Sequence, residues 1–300
     1  MTKYLRRLFA KKEPETISQS GATTAPLSDS QLWDSYGRKS KDNLFYLVAG
    51  SALDMGRRRE NNEDAVLCFT GSLSTGPESQ PFGLYAVADG MGGHRSGEVA
   101  SEIALRALGN YLIQKLYGPL FGPNPQPTKE SLRELMEAAV QEANRAVKGA
   151  APGGGCTLTA ALVVGRQLVI AHLGDSRAYA IYRDGRIKTL TQDHSLVKRL
   201  QEMGQLSAEE AAVHPQKSVL YRALGQSDAL QADIFNSSLP NPGFLLLCSD
   251  GLWGSVDEET IQNIVNNAPG PFIACHQLVE AANQAGGPDN ISAVLVRMVG

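Results

Sequence analysis

Leu84-Tyr85-Ala86-Val87-Ala88-Asp89-Gly90-Met91-Gly92-Gly93-His94 is the stretch from which the rest of the chain can be read. Five apolar residues in a row have the length of a buried strand, and the run ends on a carboxylate followed at once by glycine. The arrangement recurs. Phe244-Leu245-Leu246-Leu247-Cys248 ends in Ser249-Asp250-Gly251, and Val169-Ile170-Ala171-His172-Leu173 ends in Gly174-Asp175-Ser176-Arg177. Gly286-Gly287-Pro288-Asp289-Asn290 opens a last strand, and Arg59 precedes the pair Glu63-Asp64, which leads into a strand at Ala65. A single Asp-Gly pair is ordinary turn chemistry. A whole set of carboxylates at the ends of core strands is not, because carboxylates beside a core and beside one another need a counter-charge.

The donor atoms decide which counter-charge. Asp64, Asp89, Asp175, Asp250 and Asp289 form an oxygen set suited to Mg²⁺ or Mn²⁺. Zinc would call for His or Cys, and the histidines His94, His172, His194, His214 and His276 form no ligand-spaced pair. Gly90, having no side chain, can bring its backbone close and offer a carbonyl. Two such cations about 3.5–4 Å apart would activate a bridging water for in-line displacement at phosphorus. Arg59 is then the natural clamp for a phosphoryl dianion, although as one of Arg57-Arg58-Arg59 it also reads as a surface residue. Covalent routes lack their motifs. No cysteine has an arginine six positions later, and neither D-x-D nor G-x-x-x-x-G-K-[ST] occurs.

Composition narrows the setting. The chain has 300 residues, is 42% hydrophobic and carries a formal net charge of -3. That is enough apolar material for a sizeable core, and it gives no overall attraction to nucleic acid or to an anionic membrane. The longest apolar stretch, Ala160 to Leu173, is broken by Arg166 and Gln167 and is too short to span a bilayer. The start, MTKYLRRLFAKK, does not read as a signal peptide, and the expected location is the cytoplasm, with a monomeric chain. Cys68, Cys156, Cys248 and Cys275 are far apart and are expected to be reduced thiols in the core. Residues 1–44, rich in Ser, Thr, Lys, Gln and Pro, read as a disordered, partly basic tail. Within that tail, Tyr4, Leu5, Leu8 and Phe9 with their basic neighbours could form a short amphipathic anchor.

From Phe45 onward the pattern is globular. Strands are expected at Phe45–Val48, Ala65–Phe69, Leu84–Ala88, Leu158–Val164, Leu168–Leu173, Ala178–Tyr182, Phe244–Cys248 and Ile291–Val296, with a hairpin turn at Asp184-Gly185. Helices are expected over Gly97–Leu116, from an N-cap at Thr128 through Val147, over Asp257–Asn267 and over Pro271–Ala285. Hairpins with helices in pairs, and no strict strand–helix alternation, predict an α+β fold of sheet layers covered by helix layers.

RRRENNEDAVL, LYAVADGMGGHRSGEVAS, GGCTLTAALV, AHLGDSRAYAIY, LTQDHSLVKRL, HPQKSVLYRALG, LLLCSDGLW and GGPDNISAVLV stand in the order seen in metal-dependent Ser/Thr protein phosphatases of the 2C type. The chain resembles that family, and its bacterial members most, from Phe45 to about Met298. The resemblance implies a four-layer α-β-β-α sandwich in residues 45–300, with two antiparallel sheets flanked by helix pairs and a flap at about 193–225. It implies hydrolysis of phosphoserine and phosphothreonine in proteins by water activated at a binuclear Mn²⁺/Mg²⁺ centre, without a phospho-enzyme, in opposition to a bacterial Ser/Thr kinase. By the same resemblance Asp89 bridges two metals and Gly90 gives its carbonyl to one. Asp250 and Asp289 complete the other, and Glu63 and Asp64 hold water-mediated ligands. Arg59 binds phosphate, Asp175 holds a weaker third metal, and Ser176 and Asn290 support the ligands. Two positions depart from common patterns. Met91 stands where many eukaryotic relatives have a histidine proposed as the acid, so water is the expected proton donor and His94 is assigned to structure. Gly254 stands where relatives often carry another acid, leaving the third site one carboxylate short. Lys198, Arg199, Lys217 and Arg222 of the flap read either as substrate contacts or as a solvated face. The alternative function is a non-catalytic module binding phosphoproteins; its mark would be a lost metal acid, and the core acids are all present.

Overall fold

The computed structural model of the chain describes residues 45–75, 78–92, 96–121, 129–228 and 230–300. The amino-terminal tail, its amphipathic segment, His94 and Thr128 lie outside the described residues. Among the described residues, eleven strands form two antiparallel sheets. One sheet has the order β1 (Tyr46–Asp54), β11 (Ile291–Val299), β10 (Gly243–Cys248), β7 (Arg177–Tyr182), β8 (Ile187–Thr189). The other has the order β2 (Asp64–Thr75), β3 (Glu78–Met91), β5 (Leu158–Val164), β6 (Gln167–Leu173), β9 (Asp233–Ser237), with β4 (Gly155–Cys156) paired to the end of β3.

Side chains alternate across a strand, and here both faces are covered. Tyr85, Val87, Ala161 and Ile170 meet Ala178, Leu245, Leu247 and Val294 in a core between the sheets. Leu84, Ala86, Leu158 and Leu162 face the other way, onto helices α1 (Ser96–Leu112) and α2 (Leu132–Ala150). On the opposite outer face Tyr179, Phe244, Leu246 and Leu295 pack under α6 (Glu258–Asn267) and α7 (Pro271–Gln284). Burial on both faces is why these strands read as unbroken apolar runs. The expected four layers are therefore present. The shorter helices among the described residues include α3 (Leu196–Glu202) and α4 (Ala208–Ala212), both within the stretch expected to form a flap, and α5 (Asp250–Trp253) directly after β10.

Several boundaries differ from the sequence reading. β3 runs three residues past Ala88, so Asp89, Gly90 and Met91 belong to the strand; Gly90 and Met91 are held there by pairing with Cys156 and Gly155. α1 continues through a π-helical turn, Ile113–Tyr117. α2 starts later than Thr128. Ser131 caps it, accepting from the Glu134 N–H while Glu134 reaches back to the Ser131 N–H, so the box satisfies two backbone donors at the helix start. Asp184-Gly185 makes the expected hairpin, pairing Ile181 with Ile187. All four cysteines are free thiols, but Cys68 is exposed and not in the core, since β2 is an edge strand.

Candidate metal centre

The acids come from both sheets. Asp64 opens β2 directly opposite Asp89 on β3. Asp89 is fixed by a reciprocal pair: its N–H donates to Thr157 Oγ1 (2.9 Å), and the Thr157 N–H donates to the Asp89 carbonyl (2.8 Å). From the other sheet, Asp250 follows β10 as the first residue of α5, and Asp289 stands two residues before β11. Asp175 lies in the connection between β6 and β7 that crosses from one sheet to the other. Ser249 joins the sheets, donating from Oγ to Asp64 Oδ2 (2.7 Å) while accepting from the Ser292 N–H (3.0 Å).

The loop before β2 is tied down by Asn290. Its Oδ1 accepts from the Glu63 N–H (2.8 Å), and its amide donates to the Met55 and Asn61 carbonyls, each at 2.9 Å. The Glu63 carbonyl in turn accepts from the Gly90 N–H (3.0 Å) and from Ser101 Oγ (2.6 Å) on α1. This draws α1 onto the end of β3. A Cβ on Gly90 would stand 2.2 Å from the Gly97 carbonyl oxygen, so the contact tolerates only glycine there.

These elements enclose a cleft of about 260 Å³ lined by Arg59, Glu63, Asp89, Gly90, Asp175, Asp250, Asp289 and Asn290. Asp64 and Ser176 lie behind its wall. Asp64 is held by Ser249, and the Ser176 hydroxyl is hydrogen-bonded to that of Thr157 (2.8 Å). Burial pushes Asp250 up to about 6, Asp64 up to about 7 and Asp175 up to about 8, with repulsion from neighbouring carboxylates adding to each. Asp89 is driven well above the carboxylate range by burial and then by Asp64 and Asp250. Glu63 is raised too, by burial first.

Buried oxygens Asp64 Oδ1 and Asp250 Oδ1 have no hydrogen-bond partner. Unpartnered anionic oxygen among acids that resist ionisation is what a hard divalent cation would satisfy, and the donor set fits Mg²⁺ or Mn²⁺. Among the described residues no three such side chains close around a common point. Asp289 is drawn instead to Arg59, whose Nη2 donates to Asp289 Oδ2 at 2.7 Å. The fold thus gathers these donors along one cleft.

Thr157, Ser249 and Trp253 complete the site without having been singled out in the sequence. Trp253 Nε1 donates to the Asp175 carbonyl (2.9 Å), and the Arg177 guanidinium lies 3.5 Å over the indole ring while binding both Asp193 carboxylate oxygens. Ser249 and Trp253 stand within three residues of Asp250, whereas Thr157 is far in sequence from every acid on which the reading relied. Gly254 closes α5, where a Cβ would meet the Asp250 carbonyl oxygen at 2.7 Å.

The family described as Protein phosphatase 2C matches residues 57–295. The serine/threonine phosphatase stp of Listeria welshimeri is 36% identical over 249 residues, which covers 81% of this chain and 92% of that protein. The crystal structure of the Mycobacterium tuberculosis serine/threonine phosphatase PstP/Ppp superimposes with a TM-score of 0.69 at 34% identity, over 84% of this chain and 98% of that one. The catalytic domain of PstP in complex with two manganese ions gives 0.69 at 32% identity, over 85% and 100%. With the same two sheets, the same flanking helices and a matched stretch running from just after β1 into β11, the chain belongs to the protein phosphatase 2C family.

Proposed function

We propose that the chain hydrolyses phosphoserine and phosphothreonine in proteins by direct attack of water, with no phospho-enzyme, and opposes a bacterial Ser/Thr kinase. The carrying observation is that Asp89, Asp175, Asp250 and Asp289, scattered over the sequence, line one cleft together with Arg59. Asp89, the Gly90 carbonyl, Asp250 and Asp289 would hold two Mn²⁺ or Mg²⁺ ions. Glu63 and Asp64 would act through intervening water, and Asp175 would hold a weaker third ion. When bound, the pair supplies an activated water and positive charge at the phosphoryl group. The chain itself does the rest. Arg59 presents a planar fork to the phosphoryl oxygens, Asn290 keeps the Arg59–Glu63 loop against β11, and Thr157 and Ser249 hold Asp89 and Asp64 in place.

The cysteines near the site support a route without a covalent intermediate. Cys156 and Cys248 are fully buried; burial pushes the Cys248 thiol up to about 12 and raises Cys156 as well, so neither presents a thiolate. Replacing Asp89 or Asp250 with Ala is expected to lower Mn²⁺-dependent release of p-nitrophenol from its phosphate by at least about a thousandfold. EDTA should abolish the wild-type rate. Near-wild-type turnover in either variant removes the assignment.

A further inference from the structure

The flap carries two lysines for which the phosphoryl site has no use. A second cleft of about 490 Å³ adjoins the carboxylate cleft and shares Asp175, Ser218, Asp250 and Asp289 with it. Its flap wall includes Lys198 on α3 and Lys217 in the turn before Ser218. These two segments are stitched together: the Leu196 N–H donates to the Val219 carbonyl (2.8 Å), and the Tyr221 N–H donates to the His194 carbonyl (3.0 Å). The two lysines are therefore held on one wall.

Acids of the flap and its base are already engaged. Asp193 is taken by Arg177, Glu202 by Gln192, and Glu209 and Glu210 by hydrogen bonds at the Ser207-capped start of α4. Asp233 is shared by Arg222 and His194, each at 3.1 Å, which also turns Arg222 away from the cleft. Among the described residues neither Lys198 nor Lys217 has an ion-pair partner. The cleft thus combines carboxylates shared with the phosphoryl site and, on its flap wall, two ammonium groups with no ion-pair partner among the described residues.

We infer that this cleft is a specificity subsite for an acidic side chain, Asp or Glu, lying within a few residues of the phosphorylated Ser or Thr. The inference rests on the phosphatase reading. With the phosphoryl group in the carboxylate cleft, an extended peptide advances about 3.3–3.6 Å per residue. A neighbouring side chain therefore reaches the shared wall within one to three positions. There its carboxylate meets Lys198 and Lys217, cations on the cleft wall that have no ion-pair partner among the described residues.

The test uses the full chain with Mn²⁺ and matched phosphothreonine peptides carrying Glu or Ala at each position from three before to three after the phosphoresidue. A Glu peptide is expected to exceed its Ala counterpart about tenfold in kcat/KM at one or two positions, with the ratio shrinking in high salt. In the double variant Lys198→Gln, Lys217→Gln that ratio should fall to about one. Arginine at both positions should keep it, and Lys188→Ala on the exposed β8 should not change it. If p-nitrophenyl phosphate is hydrolysed but Glu and Ala peptides are equal everywhere, or the double variant keeps the preference, the subsite is wrong and the phosphatase reading stands. If neither p-nitrophenyl phosphate nor any peptide is hydrolysed, both fall.

Discussion

Arg59 donates to Asp289 at 2.7 Å with about half of its side chain, 48%, open to solvent. The same planar fork matches a phosphoryl dianion, and Asp289 is also a proposed cation ligand, so the pair is an exchange point: a cation on Asp289 would free the guanidinium for substrate. Charge-assisted hydrogen bonds contribute about 1.5–3 kcal/mol. Arg59→Ala should therefore raise KM for p-nitrophenyl phosphate about 10- to 100-fold with kcat changed only a few-fold, as steady-state kinetics can measure. An unchanged KM would leave Arg59 as no more than a partner of Asp289. The strand-end acids were legible in the sequence because a charge next to an apolar run is costly unless it is used, whereas Arg59, within Arg57-Arg58-Arg59, was read only from its place ahead of Glu63 and Asp64. Thr157 and Ser249 were not legible, because a hydroxyl in such a run costs little and follows no telling spacing. Only the folded chain shows Thr157 Oγ1 under the Asp89 N–H and Ser249 Oγ on Asp64.

At the scale of the elements, strand centres were legible and strand ends were not. β3 is apolar at Leu84–Ala88, but its first residues include polar Glu78, Ser79 and Gln80, and its last three look like a turn until pairing with β4 is seen. β9, Asp233–Ser237, escapes pattern reading because only Ile234 and Phe235 are apolar; its place comes from pairing with β6. β5, β6 and the segment after β8 are also joined by a polar stitch. His172, fully buried on β6, faces the Thr159 hydroxyl at Nδ1 (2.9 Å) and donates from Nε2 to the Gln192 carbonyl (3.0 Å). Burial, then the neighbouring His194, pulls this imidazole down to about 4. Its folded value thus lies below the unfolded one of about 6.5, so between those limits the unfolded chain binds more protons and stability falls with pH. Between pH 7.5 and pH 5 the wild type should lose about 2 kcal/mol relative to His172→Gln, because the glutamine has no proton to take up. Urea denaturation of both proteins at the two pH values measures the difference, and comparing the two cancels the other titrating groups. A gap that does not change with pH would mean that His172 is protonated in the fold without penalty.

For the molecule as a whole, the acids sit where the two sheets meet at one end of the sandwich. Asp64 and Asp89 come from one sheet, Asp250 and Asp289 flank strands of the other, and Asp175 lies on the crossing between them. Without cations, burying these carboxylates beside one another opposes the closure that the core between the sheets favours; burial first, and repulsion after it, raises Asp64, Asp175 and Asp250. A ligand that binds only the folded chain stabilises it by RT ln(1 + [L]/Kd), about 2.7 kcal/mol at a hundred times Kd. For a chain of this size that corresponds to a rise in Tm of about 5–10 °C. Mn²⁺ added to EDTA-treated protein should produce that rise, and Asp89→Asn should lose most of it, since the variant keeps the shape of the site but removes a carboxylate proposed to hold the cations. In EDTA, Asp89→Asn should be at least as stable as the wild type, because it removes a buried carboxylate that has no counter-charge. Scanning calorimetry on both proteins, with and without Mn²⁺, reads all four values. A wild-type Tm indifferent to Mn²⁺, or an equal rise in the variant, would detach the carboxylate cleft from cation binding.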